Sequence, residues 1–318
     1  MSFFVEEKSD SVEQHSLWAE KYRPSKLDNY ICSDSIRAVF QDFINKKHIP
    51  HILLHGGAGT GKTTLAKILT SNIECDVMYV NASDNTKVEF IRETIKPFAA
   101  STGFNPLKVV ILDEADFLSA SSQASLRNLM ETYSSTTRFI LTCNYVEKII
   151  DPLCSRSQVF KLEPPSLKDV AVHIKNILDK ESIKYELVDL KKIVQDFYPD
   201  VRKIINFIQQ SSSDGKLKIL QSQGASFDLK NKLIDLLKSA KTNGKSFNEI
   251  RQLINDAGTR NFEELYTELY SRIDEYAVGK ETLIIIEIAE YVYQSSMVVD
   301  KEITFMACVA KIIKSINK

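Results

Sequence analysis

Nothing in this sequence is long and apolar. The longest such run near the end, Leu283 to Ile286, is far too short to span a bilayer, so no membrane partner is expected. It also lacks paired cysteines. Cys32, Cys75, Cys143, Cys154 and Cys308 are scattered without a Cys-x-x-Cys spacing, which argues against a zinc site or a disulfide framework and suits a reducing cytoplasm. An excess of either charge is missing too. The net charge of −1 gives no global pull toward nucleic acid, so any such contact has to come from a local patch. The opening stretch MSFFVEEKSDSVEQHS has no basic-then-apolar plan, so a signal peptide is not expected, and residues 1–16 read as a polar tail. Glycine is scarce. Only ten occur in 318 residues, and four of them fall in the eight positions 56–63.

What is present is a soluble globular composition, 43% hydrophobic and 26% charged, at a length that suggests two or three domains. The glycine cluster reads Gly56-Gly57-Ala58-Gly59-Thr60-Gly61-Lys62-Thr63, after the apolar run Ile52-Leu53-Leu54 and before a helical run from Thr64 to Leu69. This is the G-x-x-x-x-G-K-[ST] spacing in its required strand–loop–helix setting. Glycines let successive N–H groups point inward at an anion, and the following helix adds its positive end. Lys62 is then placed for the β- and γ-phosphates and the Thr63 hydroxyl for Mg²⁺.

Around this loop the chain alternates. A helix is predicted over Ser35 to Asn45, and further strands over Val77–Val80, Val109–Leu112 and Arg138–Thr142. Helices are predicted over Lys87–Ala100 and Ser122–Tyr133. Alternation of this kind predicts an α/β fold, a parallel sheet with helices on both faces. The third strand delivers Asp113 and Glu114. Paired acids at the end of a buried strand are costly without a task; Asp113 suits the Mg²⁺ shell and Glu114 the attacking water. Asn144, Arg156 and Arg202 are candidates to converge on the γ-phosphate. Beyond Glu163-Pro164-Pro165 helical periodicity takes over, with helices predicted at Val170–Leu178, Val188–Phe197 and Val201–Gln210. The polar stretch Ser211 to Gly215 ends that part, and an all-helical part begins at about Ser226.

Four features in one order then resemble a known family: WAEKYRP, the phosphate loop, LDEAD with its downstream helix from Gln123 to Glu131, and ILTCN followed by DPLCSRS. The chain is similar to clamp-loader ATPases of the AAA+ class, in particular the small subunits of replication factor C. In compact length and detail it looks closest to the large subunit of T-even-type phage clamp loaders. The likeness runs from Trp18 to Phe160, weakens through Arg202, and is architectural beyond. It implies an ATPase domain over 17–162, a helical lid over 163–225 and a helical collar for oligomerisation over 226–318.

Carried over by position, the resemblance implies that Tyr22, Arg23 and Pro24 line the adenine pocket. The loop residues Gly56 to Thr63 and Thr64 hold the phosphates of ATP, and Asn144 and Arg202 sense the nucleotide in their own subunit. Arg156 is an arginine finger for a neighbour's site, although Ser157 stands where the family's Ser-Arg-Cys motif ends in cysteine. The loop also lacks the family's proline. DNA contacts fall on Lys87 and Arg92, because Thr86 replaces the family's arginine, with Arg127 linking that side to the ATP site. Asn81 is a switch holding Glu114, and Ile95 and Phe98 face the sliding clamp, with a plain core role for both as the equal alternative. The implied partners are other clamp-loader subunits in a pentameric ring or spiral, the clamp, and primer–template DNA. A DEAD-motif helicase, a P-loop kinase and a non-hydrolysing adaptor subunit are the competing readings. The first needs a second α/β domain that the helical C-terminal third does not offer.

Overall fold

A computed structural model describes residues 17–213, 215–218, 221–240, 245–259 and 262–317; the predicted tail over 1–16 lies outside the described residues. The chain divides into two units, 1–217 and 218–318. In the first, five parallel strands form one sheet: β1 (Ile52–His55), β2 (Asp76–Asn81), β3 (Lys108–Asp113), β4 (Thr137–Cys143) and β5 (Gln158–Lys161), in the order β2-β3-β4-β1-β5.

Strand alternation explains why the sheet is covered on both faces. Ile52, Leu54, Val109, Ile111 and Ile140 join one core with Phe40 of α2 (Asp34–Lys46) and Leu65, Ile68 and Leu69 of α3 (Lys62–Ser71), taking Trp18–Lys21 as α1. Leu53, Val110, Leu112, Phe139 and Leu141 point the other way. They pack against Ile91 and Ile95 of α4 (88–100), Leu126, Leu129 and Met130 of α5 (Ala120–Thr132), and Leu153 of α6 (Asp151–Cys154). Each such side chain contributes about 1.5–3 kcal/mol when withdrawn from water.

Two departures from the predicted pattern have local causes. β5 reads Gln-Val-Phe-Lys with three of its four residues exposed, so no apolar run announces it. It adds to the free side of β1, opposite Ile52 to His55, where Phe160 packs edge-on to Phe40 at 5.1 Å. Within α4 the turn Ile91–Ile95 is π-type. Pro97 follows it and has no N–H to give to the carbonyl of Glu93, which widens the preceding turn.

The same unit continues into α7 (Leu167–Lys180), α8 (Leu187–Phe197) and α9 (Val201–Ser211), all three as predicted to within a few residues. The stretch Ser211 to Gly215 is not a plain polar linker. Ser212–Ser213 pairs antiparallel with Lys216–Leu217. The second unit holds α10 (Gln221–Ser239), α11 (Ser246–Ala257), α12 (Phe262–Ser271), α13 (Ile273–Tyr276), α14 (Glu281–Met297) and α15 (Lys301–Ile316), with no strand among its described residues. Leu229, Leu233, Leu237, Leu269, Phe305 and Ile312 lie in its core. No described helix is long and apolar enough to cross a membrane.

Candidate functional site: a phosphate loop facing two acids

The carboxyl ends of β1, β3 and β4 meet at one cavity of about 230 Å³. Its wall takes Tyr22, Arg23 and Pro24 after α1, Ala58 to Gly61 from the loop and Lys62 to Thr64 from the start of α3, Asp113 from the end of β3 and Glu114 just past it, Asn144 after β4, and Arg202 from α9. The fold thus gathers these sequence-predicted residues around one cavity. Gly56 and Gly57 stand at the loop's start, where their carbonyls accept from Lys62 Nζ at 2.9 and 2.8 Å. The same ammonium donates to Asn144 Oδ1 at 2.8 Å, so the loop lysine and the tip of β4 share one centre. Burial lowers the Lys62 pKa from its ordinary value, opposed by Cys143, Asp113, Asp116 and Glu114.

Two glycines are dictated by their surroundings. Gly59 has φ +75° and Gly61 φ +87°. A Cβ on Gly59 would lie 2.2 Å from Asp200 Oδ1, and one on Gly61 would lie 2.8 Å from the Tyr30 ring. The loop is thus threaded between the start of α9 and Tyr30, whose hydroxyl donates to the Thr60 carbonyl at 3.2 Å.

Asp113 sits at the focus of three hydroxyls. Thr63 donates to Oδ1 at 2.7 Å, Thr142 donates to the same oxygen, and Tyr79 donates to Oδ2 at 2.7 Å. A hydroxyl and a carboxylate oxygen this close are hard ligands of the kind Mg²⁺ takes alongside phosphates and water, so the donor set fits that ion. Glu114, next along, has φ +57° in the left-handed region, a conformation that costs a non-glycine residue about 1–3 kcal/mol. Its N–H donates to Thr142 Oγ1 at 3.1 Å. Thr142 thereby fixes both acids. Asp116 is buried, with Oδ2 accepting from the Tyr145 N–H at 3.3 Å.

Other candidates lie elsewhere. Asn81 stands opposite Asp113 in the β2–β3 register, but its Oδ1 accepts from the Ser83 N–H and Oγ at 3.1 and 2.9 Å, so it does not hold Glu114 in this structure. Arg156 is away from the cavity, paired with Glu131 through Nε at 2.7 Å and through Nη2, and bonded to the Pro152 carbonyl. Lys87 and Arg92 are exposed at the start of α4, while Arg127 on α5 turns its guanidinium to Asn128 Oδ1. The clamp-facing expectation is corrected for Ile95. It has no exposed surface, being drawn under the sheet by the core that Ile91 and Leu126 share; Phe98 is half-buried.

Sequence reasoning missed Tyr30, Tyr79, Thr142 and His173, all at or beside the cavity. Thr142 had a signal: a hydroxyl closing the apolar run Phe139–Leu141 at the carboxyl end of β4. His173, whose pKa burial lowers, had none, because it arrives from α7.

Comparison with known proteins bears on this arrangement. Residues 52–164 match the family described as "ATPase family associated with various cellular activities (AAA)". A replication factor C small subunit of Sulfurisphaera tokodaii is 41% identical over 216 residues, which is 66% of this chain and 66% of that protein, just under two thirds of its length. The replication factor C small subunit 2 of Pyrobaculum arsenaticum is 31% identical over 291 residues, 89% of this chain and 84% of that protein. Among solved structures, the RuvB Holliday junction branch migration motor of Thermotoga maritima aligns with a TM-score of 0.54 over 80% of each chain at 16% identity, a likeness of fold alone. With the match to the Pyrobaculum protein running through both units, and the loop, acid pair and Asn144 gathered at one cavity, the chain belongs to the replication factor C small-subunit family and carries a nucleotide-binding AAA ATPase domain.

Proposed function

We propose that the chain is an ATPase subunit of a sliding-clamp loader, which opens the polymerase processivity clamp and sets it on primer–template DNA. One observation supports this above the others. Lys62, Thr63, Asp113 and Asn144 are already joined by hydrogen bonds at the mouth of the phosphate loop, with Glu114 held beside them. A non-hydrolysing adaptor has no use for the last of these.

The chain's own residues divide the work. The loop N–H groups and Lys62 bind the phosphates of ATP, while Tyr22, Arg23 and Pro24 enclose its base. Thr63 and Asp113 hold Mg²⁺, which when bound neutralises charge on the phosphates. Glu114 orients the attacking water and accepts its proton, and Asn144 and Arg202 sense the γ-phosphate. Arg156 lies outside its own cavity, as a finger serving a neighbouring subunit must. Such a group is worth roughly 10³–10⁵ in rate, which makes hydrolysis conditional on assembly.

In this reading 17–162 is the ATPase domain, 163–217 the lid and 218–318 the collar of a ring or spiral, pentameric in the family's manner; the boundary expected at 225 would fall inside α10. Lys87 and Arg92 track DNA phosphates without reading bases, and Phe98 is retained as a contact to the clamp. Asn81 acts as the switch on Glu114 once its bonds to Ser83 give way. ATP turnover of the assembled complex, with and without clamp and primed DNA, tests the proposal. Stimulation by both is the expected result. Turnover that is as fast on the isolated monomer, or accompanied by duplex unwinding, refutes it.

A further inference from the structure

An aspartate that must meet a hydrated cation needs its carboxylate plane fixed, yet the terminal torsion of an aspartate side chain is broad. Donors on one oxygen alone leave the plane free to swing about that anchor. Asp113 has donors on both. Thr63 and Thr142 share Oδ1, and Tyr79 is the sole donor to Oδ2 among the described residues.

The placement of Tyr79 is specific. It lies on β2 opposite Ile111 of β3, two residues before Asn81 and so on the same face of the strand. Lys67 of α3 sets its ammonium 4.9 Å from the ring centroid, seating the aromatic between the phosphate-loop helix and the outer strand of the sheet. The residue is 46% exposed, yet its hydroxyl turns to the carboxylate.

We propose that Tyr79 is a positioning residue for the metal at this site: its hydroxyl holds Asp113 Oδ2 so that Oδ1, beside the Thr63 hydroxyl, faces the hydrated Mg²⁺. The inference rests on the reading of the cavity as an ATP–Mg²⁺ site. It adds that metal affinity depends on an edge-strand tyrosine outside every motif of the loop and acid pair.

The test uses the full chain and its Tyr79→Phe variant, which keeps the ring under Lys67 and removes one oxygen. A fluorescent, non-hydrolysable ATP analogue is titrated in EDTA, and then with MgCl₂ at fixed nucleotide. The Mg²⁺ midpoint rises about fivefold in the variant, the order expected for one hydrogen bond to a charged acceptor at a half-exposed position. Affinity in EDTA stays within about twofold. An unchanged midpoint overturns the inference, as does an equal loss of affinity in EDTA, which marks a general structural effect. Should the unsubstituted chain itself bind the analogue with no dependence on Mg²⁺, the reading of the site falls, and the role of Tyr79 with it.

Discussion

Thr142→Val is the sharpest perturbation of the catalytic corner. Valine matches threonine in shape, and the position is 1% exposed, so packing is preserved while one hydroxyl is lost. That hydroxyl does two things: it donates to Asp113 Oδ1 and accepts from the Glu114 N–H. Losing a bond to a charged acceptor costs about 1.5–3 kcal/mol, and leaving a backbone N–H unpaired adds about 1–3. The buried methyl offsets about 0.8 kcal/mol. A net loss of about 3 kcal/mol lowers the melting temperature of a unit this size by about 6–12 °C. Glu114 is hit harder, because its left-handed backbone is anchored by the lost bond. With the acid free to relax, turnover on the assembled complex falls by about 10²-fold, the usual contribution of a placed general base. Nucleotide affinity in EDTA is unaffected, since Thr142 makes no bond to the loop. Calorimetry and steady-state turnover of Thr142→Val beside Thr142→Ser decide the matter: serine restores the hydroxyl and most of the rate. A valine variant that melts within a degree of the parent and turns over normally refutes the reasoning.

Arg156→Ala leaves ATP affinity intact and abolishes DNA-stimulated hydrolysis by the complex; binding and turnover measured together check both halves. Lys87→Ala flattens the salt dependence of DNA binding by about one counterion, and an unaltered slope removes that residue from the DNA path. His51 gives a pH test. Burial, with Arg138 nearby, lowers its pKa from 6.5 to about 4, and its Nδ1 must stay unprotonated to accept from the Phe139 N–H at 3.1 Å. Below pH 6.5 the unfolded chain takes up a proton that the folded chain refuses. Stability is therefore complete above that pH and declines toward about 4. Denaturant melts at several pH values should show this slope in the parent and a shallower one in His51→Asn.

Legibility in the sequence followed burial. β1, β3 and β4 announce themselves because both their faces are covered, so each carries an unbroken apolar run: Ile52–Leu54, Val109–Leu112 and Phe139–Leu141. β5 is invisible for the converse reason: at the sheet's outer side it has little to bury. The phosphate loop and acid pair are legible because their chemistry needs contiguous residues. Tyr79 and Thr142 act across strands, through a register that only the folded sheet supplies. Ile95 settles the other way. The resemblance offered it to the clamp and the helical spacing offered it to the core, and the core took it.

The segment between Trp18 and Tyr30 is fastened at two ends to different bodies. Lys21 and Tyr22 both bond Glu181 at 2.6 Å just past α7, and the Trp18 N–H reaches Gln209 on α9, whereas Tyr30 holds the phosphate loop. α9 also carries Arg202. A swing of these helices against the sheet therefore moves two parts of the cavity wall, Tyr22 and Arg202, in one stroke. Tightness of grip on the nucleotide and angle of the helical arm become two readings of a single mechanical coordinate.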